Sequence, residues 1–371
     1  MKDLGKINIP VLSVDRCVDT LSQIYISAII GGTPFKSVPS VMLWGAPGVG
    51  KSQAVRQLAA EIEGGTGKRC VVTDVRLLLF SPIDLRGIPT SNEDKTLAVW
   101  LKPKIFQMDE SDSVVNILFL DEISAAPQSV QAAAYQITLD RVIGEHKLPE
   151  NCIVVAAGNR VTDKSVAYKM PRALANRLCH IEVESNFESW RRWAVSRGIS
   201  PKIIGFLSFR PDMLIENENE GDNQAFPTPR SWEMVSNLLS LVNDDQDKIY
   251  PMISGCIGGG TATEFCSWCR VFSKLPKMDD IFTGRYTSVP KETDVLYALI
   301  SSMTSYAREH KRDVRLLEYS VNYAMTLPAD FSVVLLKNYM AIEPDYKEFL
   351  MKSVPSFPRW LSSKGKYLNG N

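Results

Sequence analysis

Val41-Met-Leu-Trp44, then Gly45-Ala46-Pro47-Gly48-Val49-Gly50-Lys51-Ser52, then Gln53-Ala-Val-Arg-Gln-Leu-Ala-Ala-Glu-Ile-Glu63 is the stretch that decides the fold. Four apolar residues read as a buried strand, and the apolar spacing after Ser52 reads as an amphipathic helix. Between them stands GxxxxGK[ST], a phosphate-binding pattern in the strand–turn–helix context it requires. Glycines let the backbone curl so that several N–H groups face phosphate oxygens. The following helix adds its positive amino end. Lys51 is then expected to reach the β- and γ-phosphates of a nucleotide, and Ser52 to ligate Mg²⁺ through its hydroxyl. A chain of this length meets the bare pattern by chance at a rate of roughly one in a hundred, and the flanking elements lower that rate further.

Outward from this loop, apolar runs recur at Cys70–Val75, Val114–Leu120, Ile153–Ala157 and His180–Val183, separated by helical patterns. Together with Val41–Trp44 they predict a five-stranded parallel sheet flanked by helices, an α/β fold over residues 1–185. Residues 186–340 read as mostly helical, with helical spacing in Phe187–Val195, Pro201–Phe209 and Ser231–Val242. The stretch 216–224 is acidic, has no apolar residue and reads as a solvated loop. Residues 341–371 carry Pro355 and Pro358 and a polar end, and are expected to form a partly irregular tail.

Composition narrows the function classes. The chain has 371 residues, 45% hydrophobic and 23% charged, which excludes a disordered chain or a coiled-coil rod. Lys+Arg and Asp+Glu are both 42. That balance disfavours a dedicated nucleic-acid binder, which carries a basic excess, and also steering to anionic membranes. No apolar leader follows the amino terminus and no apolar run is long enough to span a bilayer, so a cytoplasmic location is expected. Seven cysteines there are expected to be reduced. Cys266 and Cys269 have metal-ligand spacing, but no second such pair exists, and they read as ordinary thiols on a helix.

Three further segments carry candidate chemistry. The run Val114–Leu120 ends in Asp121-Glu122. Phosphoryl transfer needs one carboxylate near Mg²⁺ and another to activate water, which suits Asp121 and Glu122 respectively. The run Ile153–Ala157 ends in Gly158-Asn159, which reads either as a turn asparagine or, from its position after the strand, as an amide able to bond the water and the γ-phosphate. Arg172 and Arg177 precede the last strand, and Arg230 follows Pro229 at a helix start. Arginine forks stabilise transferring phosphoryl groups.

In this order the segments resemble the AAA+ ATPases, and within them the MoxR-like and dynein-related branch. The matching pieces are GAPGVGKS at 45–52, NILFLDE at 116–122, AAGNR at 156–160, ALANRLCHIEV at 173–183 and TPRSW at 228–232. The resemblance implies a P-loop sheet domain, a smaller α-helical lid and a helical extension. It implies ATP and Mg²⁺ as ligands, with Lys51 and Ser52 as Walker A, and Asp121 and Glu122 as Walker B. Asn159 matches sensor 1 and Arg230 sensor 2. Arg177 matches the arginine finger that reaches the adjacent subunit's ATP, with Arg172 as its rival. A homo-oligomeric ring, usually a hexamer, follows.

The predicted hairpin at 88–100, with a polar turn at Ser91–Lys95, reads either as a working insert or as a plain surface hairpin. Three function classes are consistent with these residues. One is a MoxR-type remodelling ATPase acting on a protein partner, such as one with a von Willebrand A domain. The second is a DNA-directed motor or restriction-type NTPase. The third is a nucleotide-gated scaffold with little turnover.

Overall fold

The computed structural model describes residues 9–160, 170, 175–215, 224–243 and 245–364. Its contacts divide the chain into two compact units, Met1–Asn186 and Phe187–Asn371.

The first unit is a parallel sheet of six strands: β1 (Val11–Ser13), β2 (Val41–Trp44), β3 (Arg69–Arg76), β6 (Val114–Asp121), β9 (Cys152–Gly158) and β10 (Cys179–Glu184). The spatial order is β1-β10-β2-β9-β6-β3. The central strands β6 and β9 read as near-continuous apolar runs because both of their faces are covered, and nearly every residue in them is buried. Between sheet strands lie the helices α1 (Val14–Ile30), α2 (Lys51–Thr66), α3 (Pro82–Arg86) and α4 (Gln128–Asp140). Helix α2 buries Ala54, Val55, Leu58, Ala59 and Ile62, the stripe its spacing predicts. It stops at Gly67, whose φ of 69° suits a glycine cap and whose N–H donates to Glu63 O.

The sheet therefore has six strands where five were expected. The extra one, β1, is three residues long and half exposed at the sheet edge, and it runs directly into α1. A strand that short has no periodicity to read. Its place is set by pairing with β10, Val11 opposite Glu182 and Ser13 opposite Glu184.

Two small antiparallel pairs complete the unit: β4 (Ile88–Ser91) with β5 (Ala98–Leu101), and β7 (Val142–Ile143) with β8 (His146–Lys147). The first is the predicted hairpin. Its turn is closed by Asn92, whose Oδ1 accepts from the N–H groups of Thr96 and Leu97 at 2.8 and 3.1 Å.

The second unit is helical among its described residues. Phe206 sits at its centre, in ring contact with Trp232, Phe265 and Trp268 at centroid separations of 5.7, 5.5 and 5.8 Å. The acidic stretch 216–224 lies, apart from Gln224, outside the described residues.

The tail from residue 341, expected to be partly irregular, is largely helical among its described residues. Helices Tyr346–Ser353 and Ser356–Lys364 occupy most of it. Phe357 and Trp360 are fully buried in the same core as Trp232 and Phe265. The indole N–H of Trp360 donates to Ser332 Oγ at 2.8 Å, and Lys364 Nζ donates to the carbonyls of Met325 and Leu327 at the end of helix Val314–Thr326. The prolines mark helix starts and breaks here rather than loss of structure: Pro358 falls in the first turn, where its missing N–H costs nothing. We predict that Trp360→Ala lowers the stability of the helical unit by about 3–5 kcal/mol, the usual cost of deleting a buried indole. Urea unfolding followed by far-UV circular dichroism checks this; an unchanged midpoint would separate the last helix from the core.

Candidate nucleotide site

Three adjacent strands end together at the carboxyl edge of the sheet. β2 is flanked by β10 and β9, and β9 by β6. In a parallel sheet this edge is where ligands bind, because the loops leaving neighbouring strands diverge there. β2 delivers the loop 45–50, β6 delivers Asp121 and Glu122, and β9 delivers Asn159.

The loop is held tightly against the sheet. Gly45 has φ of 152°, and a Cβ there would stand 2.5 Å from the carbonyl oxygen of Val183 on β10. No other residue fits at this approach. Val49 turns inward and is buried, Ala46 and Gly48 are half-buried, and Pro47 is exposed. Gly50, with φ of 107°, turns the chain into α2, so that the helix begins at Lys51 itself.

Lys51 is only 8% exposed, so its ammonium must be satisfied by protein oxygens. It donates to the carbonyls of Gly45 and Ala46 and, at 2.8 Å, to Asn159 Oδ1. The predicted cation and the predicted amide are thus in direct contact. Ser52 Oγ donates to Asp121 Oδ2 at 3.1 Å. A hydroxyl beside a carboxylate is the hard-oxygen pair that suits Mg²⁺. Asp121 also accepts, through Oδ1, the backbone N–H of Glu122 at 2.9 Å.

Glu122 has φ of 58°, in the left-handed region that non-glycine residues rarely adopt. The chain turns abruptly there, and Ile123 N–H donates to Ala157 O at 2.9 Å. Such strain persists only where the surroundings hold it, and it concentrates at functional sites.

Two further residues here escaped the sequence reading. Ser124, buried, accepts the backbone N–H of Asn159 at 2.9 Å and so fixes the turn that presents that amide. Its signal was a single hydroxyl in an otherwise apolar run, Ile123–Ala126. Asp74 stands on β3, the next strand over; partial burial, and then the charge of Asp121, raise its carboxyl above the ordinary range, against Arg76 and Arg56. Nothing in the one-dimensional order linked Asp74 to Asp121.

Arg177 falls elsewhere in the same unit. Arg177 is exposed, two residues before β10, at the opposite edge of the sheet from the loop. With Lys36, Ser40, Asp140 and Arg141 it lines a hollow of about 400 Å³. Arg172 lies outside the described residues. Arg230 lies in the second unit, exposed in the first turn of helix Pro229–Leu241. That turn is fixed by a reciprocal cap: Ser231 N–H donates to Thr228 Oγ1 at 3.0 Å, and Thr228 N–H to Ser231 Oγ at 2.7 Å. Cys266 and Cys269 are buried on helix Gly259–Cys269; among the described residues no group of three or more His, Cys, Asp or Glu is placed to hold a metal ion. Among the same residues no helix is long and apolar enough to cross a membrane.

Lys51→Ala should weaken nucleotide binding by about 10- to 100-fold, the scale of losing a hydrogen bond to a charged group. Titration with a fluorescent ATP analogue checks this; binding as tight as the parent's would remove the loop from the site.

Residues 40–180 match the family described as ATPase family associated with various cellular activities (AAA), a span that takes in the loop, Asp121, Glu122, Asn159 and Arg177. No curated protein sequence matches the chain. Solved structures similar to it include NtrX from Brucella abortus in complex with ADP, at 13% identity over 98% of this chain and 70% of that one, with a TM-score of 0.37. A RuvB mutant from Thermotoga maritima is similar at 15% identity over 82% of this chain and 90% of that one, with a TM-score of 0.35.

Proposed function

From the premise that residues 40–180 are an AAA+ ATPase domain, we propose that the chain is a ring-forming remodelling ATPase of MoxR type. One observation carries the ring: the loop and Arg177 belong to the same domain but lie at opposite edges of its sheet. β2 alone is four residues long, about 13 Å at 3.3 Å per residue. Arg177 therefore serves a second copy's nucleotide rather than its own. Each site is completed by its neighbour, and closed symmetry satisfies every copy when the contact repeats around a ring.

Within one site the residues divide the work. The loop 45–50 and the amino end of α2 receive the triphosphate. Lys51 neutralises the β- and γ-phosphates. Ser52 and Asp121 would hold Mg²⁺, Ser52 directly and Asp121 through the ion's water; the ion supplies charge neutralisation on the phosphates when bound. Glu122 accepts the proton of the attacking water, and Asn159 orients that water beside the γ-phosphate. Arg177 of the neighbouring copy stabilises the charge that develops on the transferring group. The motif match at 228–232 supports sensor 2 as the role of Arg230.

The motif order in the sequence supports the MoxR-type reading, and with it a protein partner such as one with a von Willebrand A domain. The balanced charge favours a protein over a nucleic acid as the thing acted on. The β4–β5 hairpin, with Ile88, Leu97 and Leu101 at 61, 66 and 57% exposure, offers a surface for that partner.

The test uses two variants of the full chain. Glu122→Gln should bind ATP normally and hydrolyse it at least ~100-fold more slowly, the scale of losing a general base. Arg177→Ala should likewise bind ATP and lose turnover. Mixed in one assembly, the two should regain activity, because an intact Glu122 then faces an intact Arg177 across some interfaces. Parental turnover in Glu122→Gln would move the base elsewhere. No recovery in stably mixed assemblies would end the trans reading of Arg177.

A further inference from the structure

The indole of Trp44 and the imidazole of His180 join the two functional edges of the sheet. Trp44 is the last residue of β2 and the immediate neighbour of Gly45, the first residue of the phosphate loop. His180 is the second residue of β10, three residues after Arg177. The strands pair in parallel with His180 opposite Met42 and Glu182 opposite Trp44. Trp44 and His180 are thus diagonal neighbours on one face. Their rings lie nearly parallel, 16° apart in orientation, with centroids 6.0 Å apart.

The protonation of the histidine follows from its partners. An indole N–H only donates. Trp44 Nε1 stands 2.8 Å from His180 Nδ1, so Nδ1 is the acceptor. In a neutral ring the proton then sits on Nε2, which lies 2.7 Å from the carbonyl oxygen of Ala175 and donates to it. One imidazole therefore closes a chain of two hydrogen bonds. It starts at the residue that leads into the phosphate loop and ends two residues before Arg177. The carbonyl of Ala175 also accepts from Leu178 N–H at 3.4 Å, so the same atom anchors the turn that carries Arg177.

We propose that His180 is a positioning residue that holds the Arg177 turn in register with the strand feeding the phosphate loop. The proposal rests on the reading of Arg177 as the residue given to a neighbouring copy. Its consequence is directional. The loop binds a nucleotide and pulls on β2 through Gly45; Trp44 moves with it; His180 passes that displacement to Ala175 and the arginine that the next site uses. A site's own nucleotide thereby sets how its copy serves the neighbour.

Substitutions cut the chain at chosen links. Gln carries its amide near the position of Nε2, so His180→Gln keeps the donor to Ala175 and loses the acceptor for Trp44. Asn carries its amide near Nδ1, so His180→Asn does the reverse. Trp44→Phe keeps an aromatic ring and removes the indole donor. The two bonds act in series, so each variant should lower kcat by about 3- to 10-fold, the scale of one net hydrogen bond, with KM and the affinity for a fluorescent ATP analogue unchanged. Trp44→Phe combined with His180→Gln should be no worse than either alone, since both break the same link.

The deciding measurement is the mixed assembly. His180→Gln mixed with Glu122→Gln should regain turnover, because the His180→Gln copy keeps a sound site of its own and receives a correctly held Arg177 from its neighbour. A residue that merely supported its own sheet would show no such recovery. If Arg177→Ala recovers in the mixture and His180→Gln does not, His180 acts on its own loop and the proposal is overturned while the trans reading stands. If Arg177→Ala fails to recover, both fall. Parental kcat in all three single-link variants, or additive losses in the double variant, would also overturn it.

Discussion

A buried ammonium is the constraint from which the rest of this site follows. Lys51 is almost wholly removed from water, and a cation in that position is stable only if oxygens surround it. The carbonyls of Gly45 and Ala46 supply two contacts, which obliges the loop to fold back over the start of α2. Asn159 Oδ1 supplies a third, which obliges β9 to end beside β2. Asn159 is in turn fixed by Ser124, one turn past Asp121-Glu122, so the carboxylates are drawn to the same edge. One charge thereby organises three loops spread over more than a hundred residues of sequence.

The sheet makes that convergence cheap. Parallel neighbours send their carboxyl ends the same way, so residues at the ends of β2, β6 and β9 meet without long excursions of the chain. The opposite edge is equally well defined. It holds the starts of the same strands and, just ahead of β10, Arg177. In the proposed function, Arg177 at that edge completes the site of a second copy, and hydrolysis is then a property of the contact between copies. The Trp44–His180 pair matters in this light because it crosses between those edges through side chains rather than along a strand.

The helical unit shows a different economy. Its core is aromatic, and helices that come last in the chain complete it: Phe357 and Trp360 lie among residues donated from as far back as Trp190. The polar atoms around Trp360 are paired inside that core. Trp360 Nε1 reaches Ser332, and Ser332 Oγ reaches Ala324 O at 2.6 Å. The partly irregular reading of this region came from its prolines and its polar end. Both are compatible with helices whose apolar side faces a core assembled elsewhere in the chain.

What the sequence by itself determined is whatever local order encodes. The loop 45–52 could be read because its glycines, its lysine and its serine act through a single turn, and because the strand before it and the helix after it carry their own periodicities. Asp121, Glu122 and Asn159 were legible as residues that end apolar runs, and the β4–β5 hairpin as two short strands about a polar turn. The tertiary structure alone decided what depends on contact across the chain. It set the sixth strand β1, too short to show a period and specified by its pairing with β10. It brought Ser124 to Asn159 and Asp74 near Asp121. It also tied His180 to Trp44 across 136 positions. The reason is physical: periodicity and turn chemistry act over a few residues and leave a mark in the sequence. A hydrogen bond between two side chains depends on which strands become neighbours, and that is decided only when the sheet closes its core.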